Sequence, residues 1–312
     1  MNREEFAKEV NYRIKPYLSE EIKNAGELKL HKQLKVNDMM LYGIRVDREE
    51  MLPSPVIYLE EFYESYQKGQ PMELVLSEIA ETFDKAWENN PDIRDFVFTP
   101  DEAEKRVVCR IVSTKLNQNL LREMKNTPIG NGYALTYHIE ITDEASIPLT
   151  RELARMEGLD MRLIHEAAVE NTKNKYPAVL QDMRSKLFMQ AFDFENNNLL
   201  NTNEVISDSE IYVLSNQDGR FGATTMFYPG IKDKIGELLG MGYYAIPSSR
   251  HEFLIVPKSN EMSAAELQDM LRTVNKEAVA SEDVLSDKVL EYNKETKTLK
   301  IAEPDKNHER GR

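Results

Sequence analysis

Between Tyr243 and Pro257 the chain reads YYAIPSSRHEFLIVP: two β-prone apolar runs flank the short polar segment Pro247, Ser248, Ser249, Arg250, His251 and Glu252. Strands joined by so short a link form a hairpin, and strands in a hairpin are antiparallel. A second pair of runs repeats the signal near the start. Leu28, Leu30, Leu34 and Val36, then Tyr42, Ile44 and Val46, alternate with polar residues around the turn residues Asn37 and Asp38. A third hairpin is predicted near the end, with VLEYN and TLKIA around Lys294 to Lys297. Hairpins alternate with capped helices, without the strict β-α-β rhythm of a parallel sheet, which indicates an α+β fold.

The helices are read from stripes and caps. Phe6, Val10, Ile14 and Leu18 recur every fourth residue behind Asn2, with Glu5 completing an approximate capping box, and this helix ends near Pro16 to Ser19. After Pro53 and Pro55, VIYLEEFYESYQKG reads as a helix stopped by Gly69. Pro71 then introduces the strongest helix of this half, with Met72, Val75, Leu76, Ile79, Phe83 and Trp87 in one stripe. Arg106 to Val112 and Tyr133 to Thr142 read as strands joined through a helical stretch, Lys115 to Met124. On the second strand Tyr133, Leu135, Tyr137, Ile139 and Ile141 share the inner face, leaving Thr136, His138 and Glu140 toward water.

From Pro148 to Phe192 the pattern is helical: one helix ends before Pro177, and Val179, Leu180, Met183 and Leu187 begin the next. Asp193 to Asp208 has a loop composition, with the apolar pairs Leu199, Leu200 and Val205, Ile206 packing somewhere. Beyond it lie the strand IYVLSN from Ile211, a second run GATTMFYPG from Gly222, and a helix from Ile231 to Leu239 closed by Gly240. Ser263 and Glu266 form a capping box before Leu267, Met270, Leu271 and Val274. The expected organisation is two consecutive units, 1–147 and 148–302, each a mainly antiparallel sheet with helices packed on one side, followed by a charged tail, 303–312.

Composition narrows the function classes. Forty basic against fifty-four acidic residues leave a net charge of −14, which repels nucleic acid and anionic membranes unless a basic patch intervenes, and the sequence shows none. The single cysteine, Cys109, lies in the apolar run RVVCRIV and reads as a buried structural thiol. No apolar segment has the length of a signal peptide core or a membrane span, so a soluble, cytoplasmic protein is expected. His165-Glu166 and His251-Glu252 lack the second histidine a zincin needs, since Val169 and Ile255 stand there. The acidic loop after Asp193 has Asn198 where an EF-hand needs glycine. Phosphate-cradling glycine motifs and the G-x-S-x-G nucleophile elbow are also missing, so neither cofactor nor metal is implied.

The one concentrated constellation is Ser248, Ser249, Arg250, His251 and Glu252. It is either a site or a hairpin corner whose polar residues bond local backbone and water. On an extended segment Ser249 and His251 share one face, as nucleophile and base, while Arg250 and Glu252 pair on the other. Asn216 and Tyr228 are the polar groups expected to converge on it, with Arg250, as ligand-binding residues. The functional expectation is a non-catalytic cytoplasmic binding or regulatory protein with a protein or small-molecule partner. The alternative is a hydrolase or transferase using Ser248 or Ser249, with His251 as base, Arg250 as anion clamp and Glu252 as orienter.

The segments IYVLSN, RFGATTMFYPG, AIPSSRHEFLIVP, MLRTVNKEAV and VLSDKV, with SPVIYLEEFYESYQKG and RVVCRIVSTKLNQNLL in the front half, carry a resemblance. Together they are similar to an uncharacterised bacterial domain-of-unknown-function family, common in anaerobic gut bacteria, whose members share a PSS-x-HE segment. The chain departs from it mildly, with serine in IYVLSN and alanine in AIPSS where threonine and leucine are expected. The resemblance spans nearly the whole chain and implies no activity, cofactor or catalytic residue.

Overall fold

Antiparallel pairing links the strands of all three sheets that the computed structural model describes, over residues 1–47, 54–89, 98–143, 145–184, 198–206, 210–259 and 261–303. The protein is therefore α+β, as the hairpins require. It divides into two compact units, Met1–Val97 and Phe98–Arg312.

In the first unit, β1 (Glu27–Leu34) pairs with β2 (Met40–Asp47) in the register Leu28↔Val46 and Leu30↔Ile44, and β3 (Ile57–Tyr58) adds to β2. Asn37 and Asp38 turn the chain with φ of 61° and 51°, conformations that their short polar side chains tolerate. The helix Arg3–Arg13 carries the predicted capping box between Asn2 and Glu5. The start of VIYLEEFYESYQKG is β3, and only Glu60–Gln67 is helical. The helix Met72–Glu88 turns Val75, Leu76, Ile79 and Phe83 inward, against Phe6, Val10, Ile14, Ile44 and Ile57.

The second unit holds two sheets. In the first, β4 (Val107–Ser113) and β5 (Asn126–Gly130) flank β6 (Tyr133–Glu140), which β7 (Ser146–Pro148) also joins. The second contains β8 (Ala178–Asp182), β9 (Tyr212–Asn216), β10 (Tyr243–Ser249), β11 (Glu252–Pro257), β12 (Leu290–Asn293) and β13 (Thr298–Ile301). Its strand order is β13-β12-β10-β11-β9-β8, with the opening hairpin at its centre. β7 returns to pair with β6 (Ile139↔Ile147), next to the position near 147 where the sequence places a boundary. Val179 and Leu180 begin a strand and not a helix: both are buried, and the pairing with β9 outweighs a helical apolar spacing. The run GATTMFYPG forms a 3-10 segment, Gly222–Phe227. Leu187 and the charged tail from 304 lie outside the described residues.

The open side of β4 is closed by side chains. Asn171 Nδ2 donates to Val107 O at 2.9 Å, the Cys109 N–H donates to Thr172 Oγ1 at 2.8 Å, and the Ile111 N–H donates to Thr224 Oγ1 at 3.2 Å. Asn171 and Thr172 come from the helix Met161–Lys175, and Thr224 from the 3-10 segment. Burial pushes the Cys109 thiol up, so it stays protonated, as expected of a structural cysteine. Thr172→Val keeps the side-chain shape while stranding the Cys109 N–H, and should cost about 1–3 kcal/mol in urea unfolding. A loss below about 0.3 kcal/mol would show that the hydroxyl is not what satisfies this edge.

Candidate functional site

The hairpin tip is built by its own register. Ser249 pairs with Glu252, and the ladder slips between Pro247 and Ser249, where proline has no N–H to contribute. Arg250 and His251 are left as the turn residues. The turn is fastened on three sides: the His251 N–H donates to Ser249 Oγ at 3.0 Å, the Arg250 N–H donates to Asp283 O at 2.8 Å, and Ser215 Oγ donates to His251 O at 2.8 Å. Because His251 lies in the turn and not on an extended strand, its ring does not share a face with Ser249 Oγ.

The imidazole is instead held by two other elements. The Phe221 N–H donates to His251 Nδ1 at 3.1 Å, which leaves the ring proton on Nε2, 3.2 Å from Asp283 Oδ1. The same oxygen lies 2.7 Å from Arg250 Nε, so Arg250 pairs with Asp283 and not with Glu252. Phe221 has a φ of 55°, a left-handed conformation that costs a bulky L-residue roughly 1–2 kcal/mol. Its N–H reaches His251 from that conformation.

Beside this turn, within the second unit, lies a cavity of about 230 Å³. Asn216, Tyr228, Arg250 and His251, all singled out in the sequence, line it; Ser248, Ser249 and Glu252 are not among its lining residues. Asn216, at the end of β9, is 5% exposed; its Nδ2 donates to Arg220 O at 2.8 Å, and its Oδ1 is buried without a hydrogen-bond partner among the described residues. Tyr228 donates its hydroxyl to Tyr176 O at 3.0 Å, with Thr172 O at 3.3 Å, and burial pushes its pKa far up.

Five residues at or beside the cavity were not read from the sequence: Arg110, Glu140, Arg220, Phe221 and Asp283. Arg110 had a signal, since it is the one charged side chain in the apolar strand VVCRIVS. Its guanidinium lies 4.1 Å from the Phe221 ring centroid, that of Arg250 5.2 Å from the same centroid, and Arg220 precedes that ring in the chain and lines the same cavity. Burial pushes the Arg110 pKa down; Glu140 opposes this, and repulsion by Arg250 and Arg220 adds to it. Glu140, on the face of β6 expected to meet water, is buried there: Lys175 Nζ donates to its Oε2 at 2.8 Å and the Tyr176 hydroxyl to its Oε1 at 2.7 Å. Burial, reinforced by this bond to a carboxylate, pushes Tyr176 up to about 12. Folded Tyr176 thus keeps its proton beyond the ordinary range, a stabilisation complete below pH ~10 and lost as pH rises through about 12.

No group of three or more His, Cys, Asp or Glu is placed to hold a metal ion among the described residues, and no described helix is long and apolar enough to cross a membrane. Comparison with known proteins places the chain in a family: the model of a family of unknown function, DUF5688, matches residues 3–294, and the chain belongs to it. No curated protein and no solved structure matches.

Proposed function

We propose that this member of the family is a non-catalytic cytoplasmic binding protein whose small-molecule ligand occupies the cavity beside the Arg250–His251 turn. One observation carries the reading. His251 is the base that the hydrolase reading assigns, and its ring is committed to the Phe221 N–H and to Asp283 while a cavity of about 230 Å³ opens next to it. The serines lie off that cavity, and Ser249 Oγ accepts the His251 backbone N–H. A nucleophile-base pair needs its hydroxyl within about 3 Å of the imidazole, and this arrangement directs the serine elsewhere. The groups that do converge, guanidiniums and a buried amide around an aromatic ring, are recognition groups.

The reading is tested by following thermal unfolding of the full chain against a library of small polar metabolites. A ligand at about 100 times its Kd should add about 2.7 kcal/mol of stability. Ala145→Phe introduces a ring from a half-buried position in the cavity lining and should abolish that gain while leaving the free protein folded. Turnover of any library compound that disappears in Ser248→Ala, Ser249→Ala or His251→Gln would overturn the proposal in favour of the hydrolase or transferase reading.

A further inference from the structure

We infer that the occupant of this cavity is a small phosphate monoester, its phosphoryl group held by Arg110, Arg220 and Arg250; the inference rests on the small-molecule reading above. The protein carries a net charge of −14, so three guanidiniums on one cavity are not part of a generally basic surface. Their counter-charges are incomplete. Arg250 is paired with Asp283 at 2.7 Å, and Arg110 with Glu140 Oε1 at 3.8 Å while its Nη2 donates to Ser146 Oγ at 3.2 Å. Arg220 donates from Nη2 to the backbone oxygen of Asp143 at 2.9 Å, and no carboxylate oxygen of the described residues lies within 4.0 Å of it.

Three guanidinium forks on one small cavity offer more N–H donors than the two carboxylates beside them take up, and the group that answers several forks from one centre is a phosphate monoester. It carries about −1.5 to −2 near neutral pH and three acceptor oxygens, whereas one carboxylate brings a single charge and two. The rest of the site favours it. Phe221 positions Arg110 and Arg250 through their contacts with its ring, so the forks need little ordering when an anion arrives. Glu140 holds Arg110 only at 3.8 Å, because Lys175 and Tyr176 make the short bonds to its two oxygens. The volume of about 230 Å³ falls below the ~300–1,000 Å³ of sites for drug-sized ligands, which suits a phosphoryl group on a short organic body.

The test is calorimetric titration of the full chain with inorganic phosphate and glycerol 3-phosphate, and with succinate as a dicarboxylate of equal charge. Both phosphates should bind, with glycerol 3-phosphate the tighter. Arg220→Gln, at an exposed position whose loss leaves the fold intact, should weaken them tenfold or more. Arg110→Gln should do the same, and Arg272→Gln, outside the cavity, should leave affinity unchanged. Succinate binding as tightly as the phosphates, or phosphate binding unmoved by Arg220→Gln, would overturn the inference. If phosphates fail to bind but neutral metabolites stabilise the protein and lose that effect in Ala145→Phe, the phosphate assignment falls and the binding-protein reading stands. If no compound of either kind binds in the cavity, both fall.

Discussion

Gly222→Ala is expected to destabilise the second unit by about 3 kcal/mol, at the upper end of the cost of overpacking a dense interior. A Cβ at this buried position would stand 2.2 Å from Ser215 Oγ, 2.5 Å from His251 O and 2.7 Å from Asn216 N. Two of these atoms are backbone, and Ser215 Oγ is held by its bond to the same His251 carbonyl, so none can withdraw cheaply. The place left by the missing side chain is what lets the 3-10 segment lie against the hairpin turn and β9. Urea unfolding followed by circular dichroism measures the loss, with Gly219→Ala as the comparison. Gly219 has a φ of 69° and no atom within 4 Å of an added Cβ, so its substitution should cost only the conformational penalty of about 1–2 kcal/mol. Equal losses at the two positions would mean that close approach is not what selects glycine at 222. Where Gly222→Ala still folds, it should also weaken binding in the cavity, because its strain falls on the carbonyl of His251 and the amide of Asn216.

Phe253→Ala should cost about 3–5 kcal/mol, the range for truncating a fully buried aromatic. Phe253 is 0% exposed, sits on β11 between Pro247 of β10 and Leu214 of β9, and meets the Phe227 ring edge-on at 6.3 Å. Removing it opens a void at the centre of the six-stranded sheet, two residues along the chain from His251, which lines the cavity. Val205→Ala, at a residue 65% exposed, should change stability by less than about 0.5 kcal/mol in the same experiment. If the two variants unfold at the same urea concentration, the core assignment around Phe253 is wrong.

What could be read from the sequence follows how local the determining interaction is. The hairpin at Tyr243–Pro257, the capping boxes at Asn2 and Ser263 and the stripe of Met72–Glu88 are set by residues within a few positions of one another, and each appears in the structure where spacing placed it. Val179 and Leu180 were misread because a short apolar run fits either a buried strand or a helix, and β9 decides between them from more than thirty residues away. The face of β6 bearing Thr136 and Glu140 was expected to meet water, since alternation cannot announce a second layer lying over it. At the candidate site, Asn216, Tyr228, Arg250 and His251 were legible as polar residues beside strands. Their partners were not: Arg110 comes from β4, Glu140 from β6, and Asp283 from beyond the helix Ala264–Glu277, so only the tertiary fold gathers them.

The side-chain cover along β4 also bears on what happens when the protein is stressed. A neighbouring strand would shield that edge by itself, whereas hydroxyls and an amide on a helix and a 3-10 segment shield it only while those elements stay docked. Once they lift, VVCRIVS presents a bare ladder of amides and carbonyls flanked by β-branched side chains, the kind of segment that recruits identical strands from other molecules. Arg110 is the only charge in that stretch. The guanidinium that faces the cavity in the native state becomes a gatekeeper in the opened one, where stacking copies of the segment in register would bring like charges together.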